Sequence, residues 1–172
     1  MGMALHWVPA GDRTDLLADP VALAVPELEV VEVAEIDPEL ADTAAFCERY
    51  GVTLDESANC VVVAAKRGGE TRYAACMVLA TMRVDVNGVV RRHLDARKAS
   101  FAPMADAVEL TGMEYGGITP LGLPPDWPIL VDSHVAEHPR VVIGSGVRRS
   151  KLAVSGAALA GLKNAEVLPL AG

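Results

Sequence analysis

Two apolar runs, CVVVAAK (residues 60–66) and YAACMVLATMRV (residues 73–84), flank the segment RGGET. Valine-rich runs of this length on either side of a glycine pair form strands joined by a tight turn, so an antiparallel hairpin is expected here. A hairpin this apolar commits the rest of the chain to covering it. Upstream, LEVVEVAEI alternates apolar and acidic residues and reads as a strand with one wet face. DPELADTAAFCERYG reads as a helix capped by Asp37, opened by Pro38 and stopped at Gly51, with Leu40, Ala44 and Cys47 on one face. An earlier helix is expected around Asp12 to Asp19.

Downstream, NGVVRRHLDA reads as a turn into a short helix, and ADAVELTG as a helix ending at Gly112. PILVD, RVVIGSG and KLAVS read as strands, SGAALAGLKN as a helix and AEVLPL as a last strand. Strands and helices interleave without a regular period, which argues against a Rossmann sheet or a repeat array. The expected fold is mixed α/β: a single domain, residues 1–172, in which a mixed β-sheet curls barrel-like around its own core and helices flank it.

An apolar fraction of 51% supports one sizeable core, and with aromatic residues at 4% that core is built from valine, leucine, alanine and methionine. So few rings offer no base-stacking platform. No stretch approaches the roughly 18 apolar residues of a membrane span, and the first residues lack a signal-peptide pattern, so a soluble, cytoplasmic protein is expected, with no membrane partner. Cys47, Cys60 and Cys76 are too few and too widely spaced for a zinc ribbon, and no cofactor or metal is expected.

The net charge of −8 is unevenly spread. Residues 1–57 hold 13 acids and 2 bases, whereas the remaining chain is net basic. Arg91, Arg92, Arg97 and Lys98 form one basic cluster, and Arg140, Arg148, Arg149 and Lys151 another. Each can contact a few phosphates or serve as ordinary solvated surface.

Two glycine segments carry the chemistry. In EYGGITPLGLP, Gly116 and Gly117 leave backbone N–H groups open to close approach and Pro120 limits drift of the loop. Such a loop can hold a carboxylate, a phosphate or a developing oxyanion, or it can be a tight turn between strands. In GSGVRRSKL, Gly144, Ser145 and Gly146 end a strand just ahead of Arg148 and Lys151. Between the loops, PILVDSHV ends a strand at Asp132, which can orient a ligand hydroxyl or amine, or cap the turn that follows. Neither loop has the spacing of a nucleoside-triphosphate cradle.

Taken in order, TGMEYGGITPLGLP, ILVD and GSGVRRSKLAVS, followed by a C-terminal helix and strand, resemble the YbaK/ProX family of aminoacyl-tRNA editing domains. The motifs fall over about residues 50–172, and the acidic N-terminal portion carries none. The resemblance implies a free-standing deacylase that hydrolyses the ester joining a wrong amino acid to the 3′-terminal adenosine of a tRNA. In the family the Gly-x-x-x-Pro loop, here Gly116, Gly117, Ile118, Thr119 and Pro120, lies beside that ester, and the substrate's vicinal hydroxyl assists the attacking water. By extension, Asp132, Gly144, Ser145 and Gly146 complete the pocket and Arg148 and Lys151 lie near the terminal phosphates. The implied partners are mischarged tRNA and, in addition, an aminoacyl-tRNA synthetase.

One position departs from the family. The lysine that members carry at the start of the strand SANCVVVAAK is here Asn59. Lys66 lies seven residues further on, roughly 23 Å along an extended strand and turned to the opposite face. Asn59 can donate a hydrogen bond to a phosphate or ribose oxygen, or be a strand-edge residue without ligand contact. Two readings follow: either Arg148 or Lys151 replaces the missing charge, or the chain is a non-catalytic module that binds an aminoacyl-adenosine-like ligand or a synthetase.

Other chemistries find less support. His134 and His138 share a four-residue spacing, but Pro139 follows and no acid stands between them as in HExxH. His93 has no partner in the sequence. Cys47 falls on the apolar side of its helix, and nothing around Thr119, Ser145 or Ser150 suggests a serine triad.

Overall fold

The computed structural model describes residues 4–171. In chain order the elements are β1 (Val8–Pro9), α1 (Asp19–Ala24), β2 (Glu32–Glu35), α2 (Thr43–Tyr50), β3 (Ala58–Arg67) and β4 (Glu70–Leu79). A π-helical turn, Val86–Val90, runs into α3 (Arg91–His93), followed by β5 (Lys98–Phe101) and α4 (Met104–Thr111). The chain closes with β6 (Ile129–Asp132), α5 (Ser133–Ala136), β7 (Val141–Gly144), β8 (Ser150–Val154), α6 (Gly156–Ala160) and β9 (Ala165–Leu168).

The hairpin is the backbone of the molecule. β3 and β4 pair in register from Ala58–Leu79 to Arg67–Glu70, with Gly68 and Gly69 at positive φ in the turn. Left-handed backbone at both turn positions matches the twist of the strands, which is why two glycines stand there. β5 pairs with β3, β6 runs parallel to β4 and β9 parallel to β6, giving the order β5-β3-β4-β6-β9. A second, four-stranded sheet has the order β1-β2-β8-β7.

The expected barrel is not formed. The two sheets meet through one isolated bridge, Ser57 to Val142, and the outer strands β5 and β9 do not pair with each other. The reason is that the larger sheet is covered on both faces. Val63, Cys76 and Leu130 pack with Val86, Val90 and Leu170 in one cluster, while Val62 packs with Ala107 of α4 and Trp127 in another. With both faces buried, nothing drives the sheet to close on itself. A third cluster, containing Val33, Met77, Val131, Ile143 and Leu152, joins the two sheets.

Local expectations shift in three places. The early helix begins at Asp19, with Pro20 in its first turn, and residues 10–16 form two 3-10 turns instead; proline fits a first helical turn, where its missing N–H would go unpaired anyway. Asp37 caps a separate 3-10 turn, Pro38–Leu40, by accepting from Glu39 N at 3.0 Å. The α-helix then restarts at Thr43, so its buried face is Phe46, Cys47 and Tyr50, and Ala44 is exposed. β5 arises from KASF, four residues too short and polar to read as a strand alone.

Candidate functional site

A cleft of about 290 Å³ opens where the two sheets come together. Four segments line it: the start of α2, the start of β3, the Tyr115–Ile118 loop, and the end of β7 with the start of β8. Each is there for a local reason. Asn59 is the second residue of β3, and its side-chain oxygen accepts from Thr43 Oγ1 at 2.7 Å, tying β3 to α2.

The two glycine loops are stitched together. Gly146 N–H donates to Gly117 O at 2.7 Å, Glu114 N–H to Gly146 O at 2.8 Å and Gly117 N–H to Glu114 O at 3.0 Å. A Cβ on Gly117 would lie 2.7 Å from Val147 O, and one on Gly144 2.5 Å from Gly117 O. These glycines allow two backbones to touch. The Gly117 N–H is therefore already used. The Gly116 and Ile118 N–H groups have no protein acceptor among the described residues, and both residues line the cleft.

Lys151 is the charged group at the site. On β8 it pairs with Gly144 of β7 and Ala34 of β2, and it is buried, with 7% of its surface exposed. Its Nζ donates to Ala41 O at 2.7 Å and sits 5.2 Å from the centre of the Phe46 ring. Burial pushes the ammonium down to about 8; neighbouring Arg148 acts in the same direction and Asp42 opposes it. An ammonium has three donors, and the protein occupies one. Lys151 remains mostly charged at neutral pH, with donors to spare, in the wall of the cleft.

Arg148 forms a clasp at the rim. Its side chain donates to Pro38 O at 3.1 Å and Tyr115 O at 3.1 Å and pairs with Asp42 at 3.4 Å, while its backbone N–H donates to Glu114 Oε1 at 2.7 Å. It thereby holds the start of α2 against the first glycine loop. Gly116, at φ +88°, lies so close to Arg148 that any side chain there would strike the guanidinium.

Of the residues singled out in the sequence, Asn59, Gly116, Ile118, Gly144 and Lys151 line the cleft. The others do not. Thr119 is fully buried, its hydroxyl without a hydrogen-bond partner among the described residues, and Pro120 lines a separate groove beside Pro20. Ser145 Oγ lies 3.1 Å from Val147 O, 3.0 Å from Ser150 O and 2.7 Å from the Ser150 hydroxyl, so it braces its own loop. Gly146, also at positive φ, packs against Ala18 and Val21.

Asp132 is placed away from the cleft as well. Its buried carboxylate accepts from His134 N at 3.1 Å, His134 Nδ1 at 2.9 Å, Leu170 N at 2.8 Å and Ala171 N at 3.3 Å. Burial alone would raise its pKa, but the hydrogen bonds from Leu170, His134 and Ala171 outweigh that and hold it low. Of its two readings from sequence, the capping one describes its place in the fold.

Asp42, Thr43, Phe46, Ser57 and Tyr115 also reach the cleft, and sequence reasoning missed them. The first four come from the acidic N-terminal portion, residues 1–57, where no motif marks them. Cys60 lines the cleft too, but burial drives its thiol pKa far up, and that of Cys76 up to about 12. Neither is a nucleophile at neutral pH. Among the described residues, no group of three or more His, Cys, Asp and Glu is placed to hold a metal ion. Among the described residues, no helix is long and apolar enough to cross a membrane.

Residues 37–162 match the family described as the aminoacyl-tRNA editing domain. The chain belongs to that family. The match begins at Asp37, so it takes in the α2 residues of the cleft. Solved structures agree on the fold of this editing domain. A protein assigned as a trans-editing enzyme for prolyl tRNA synthetase superposes with a TM-score of 0.76 at 21% identity, over 90% of this chain and 96% of that one. A hypothetical protein, APE2540, gives 0.74 at 21% identity over 83% and 92% of the two chains. A scaffold protein from epitope-grafting design gives 0.76 at 20% identity over 90% and 97%. No functionally curated protein matches the sequence.

Proposed function

We propose that this editing domain acts in trans as a deacylase, hydrolysing the ester between a wrongly attached amino acid and the 3′-terminal ribose of its tRNA. The observation that carries the reading is the conjunction, in one cleft, of a buried lysine with unused donors and a glycine loop whose Gly116 and Ile118 N–H groups lack protein acceptors.

An aminoacyl ester is already activated, so positioning and charge stabilisation can supply much of the acceleration. In this mechanism the ester carbonyl lies against the Gly116–Ile118 backbone. Water adds to the carbonyl carbon, and negative charge grows on the carbonyl oxygen, held by those N–H groups. The bond to the ribose oxygen then breaks, and the proton lost by the water returns to that oxygen through the neighbouring ribose hydroxyl. The products are the free amino acid and uncharged tRNA. No protein nucleophile is required.

Lys151 takes the part that the lysine at the Asn59 position would otherwise play. It reaches the same cleft from the opposite sheet and offers its ammonium to the terminal phosphate or the developing oxyanion. Asn59 contributes its amide N–H₂, since its oxygen is engaged by Thr43. Arg148, bound to four protein groups at the rim, is a positioning residue in this scheme.

Single-turnover hydrolysis of a panel of mischarged tRNAs, with Cys-, Ala-, Ser- and Thr-tRNA among them, tests the reading. The expected result is turnover of at least one member, lost in Lys151→Met. A folded wild-type protein that binds aminoacyl-tRNA and hydrolyses none of the panel would leave the non-catalytic binding module as the function.

A further inference from the structure

The hairpin end of the larger sheet carries a concentration of positive charge that the cleft does not use. Lys66 and Lys98 are direct cross-strand partners on β3 and β5, and both are exposed. Directly opposed residues share one face with their Cβ atoms about 5 Å apart, where like charges are destabilising. Arg97, next in the chain, and Arg92 on α3 are exposed as well. Among the described residues, none of these four has an acidic side chain within ion-pair distance. Arg67 and Arg72 fix the arrangement, donating to Asp95 O at 3.3 Å and to Leu94 O at 2.6 Å respectively, just beyond α3.

On a chain of net charge −8, a lysine pair beside two arginines without ion-pair partners among the described residues is a surface complementary to an anionic ligand. We propose that this surface binds the phosphate backbone of an RNA stem, and that the stem belongs to the tRNA whose 3′ end enters the cleft. The proposal rests on the deacylase reading for the identity of the RNA. Lys66 is seven residues along β3 from Asn59, roughly 23 Å on an extended strand and turned to the other face of the sheet, so a ligand that meets both passes the edge strand β5. Both points lie on a single strand inside a sheet, so their separation is fixed.

The composition of the patch favours nucleic acid over an acidic protein. Phosphate contacts need charge alone, whereas a protein interface buries an apolar centre. Phe101 is the one large exposed apolar side chain on β3, β4 and β5 among the described residues.

The test compares wild type with Lys66→Gln/Lys98→Gln, both exposed positions outside the cores. Two substrates are used: full-length aminoacyl-tRNA, and an aminoacylated trinucleotide that ends at the cleft and cannot reach the patch. The expected result is roughly tenfold weaker binding of full-length tRNA, a salt dependence of log Kd reduced by about 2, and unchanged hydrolysis of the trinucleotide. Unchanged tRNA affinity and salt slope in the double variant would overturn the proposal, as would loss of binding to an acidic synthetase while tRNA binding stays intact. If wild type hydrolyses neither substrate, the deacylase reading fails. The salt slope measured with uncharged tRNA then still decides whether the patch binds RNA.

Discussion

Lys151 and Asp132 are both charged, both buried and both at strand ends, yet they stand in opposite circumstances. Asp132 accepts from four donors supplied by α5 and the C-terminal segment, and it does not line the cleft between the sheets. Lys151 spends one donor on Ala41 O and faces a cavity of about 290 Å³. A buried charge whose partners are complete belongs to the architecture. One left with spare capacity beside open space is available for a ligand.

The largest expected effect separates the two. Lys151→Met should reduce single-turnover hydrolysis by roughly a hundredfold or more, the loss typical when one charge-stabilising donor is removed, with the thermal transition retained. Asp132→Ala should do the reverse. It strands the backbone N–H groups of Leu170, Ala171 and His134, so a loss of about 3 kcal/mol in denaturant unfolding is expected, with the turnover of the remaining folded protein little changed. Equal effects of both variants on turnover would erase the distinction.

The second effect is one of pH. The Lys151 ammonium loses its proton near 8 in the folded protein and near 10.5 when unfolded. Between those values the unfolded chain binds more protons, so this residue makes stability rise with pH, by up to about 3 kcal/mol once both limits are passed. Denaturant midpoints of wild type measured against Lys151→Met from pH 7 to 10 check the sign. The rate should run the other way: after subtraction of uncatalysed ester hydrolysis, wild-type turnover falls above pH 8 as the ammonium is lost. A Lys151→Arg protein that keeps activity should keep it through that range.

The smallest effect concerns Asn59. Introducing lysine there places a second cation in the cleft, and tRNA affinity should rise by up to about tenfold, the scale of one added phosphate contact. Binding and turnover both unaffected by Asn59→Lys would mean that position 59 does not meet the substrate. Substitution of Gly117 is a poorer probe, because a side chain there collides with the Val147 backbone and disturbs the loop pair itself.

Much of this was legible beforehand for physical reasons. The hairpin could be read because its valine runs and glycine turn act locally, and the paired glycine segments because close backbone contact tolerates few residues. Gly116 and Gly144 were singled out on that basis, Lys151 as a base just beyond the second loop and Ile118 through the resemblance to the family, and all four line the cleft. Asp132, Ser145 and Thr119 have polar side chains of the right kind in the right neighbourhood, and sequence offers no sign that their bonding is internal. Asp42, Thr43 and Phe46 stayed hidden because a helix restart at Thr43, set by a turn only a few residues long, rotates them toward the cleft.

By itself, then, the sequence determined the β3–β4 hairpin with its tight turn, the longer apolar strands and the family, because these depend on periodicity, backbone freedom and motif order over short spans; the short strands β1 and β5 lay below that signal. The tertiary structure decided that the sheets remain two rather than one barrel, since closure depends on how both faces are covered. It also decided which buried charge lines the cleft. Lys151 and Asn59 are far apart in the chain and on different sheets, and only the packing of one sheet against the other puts them in the same cleft.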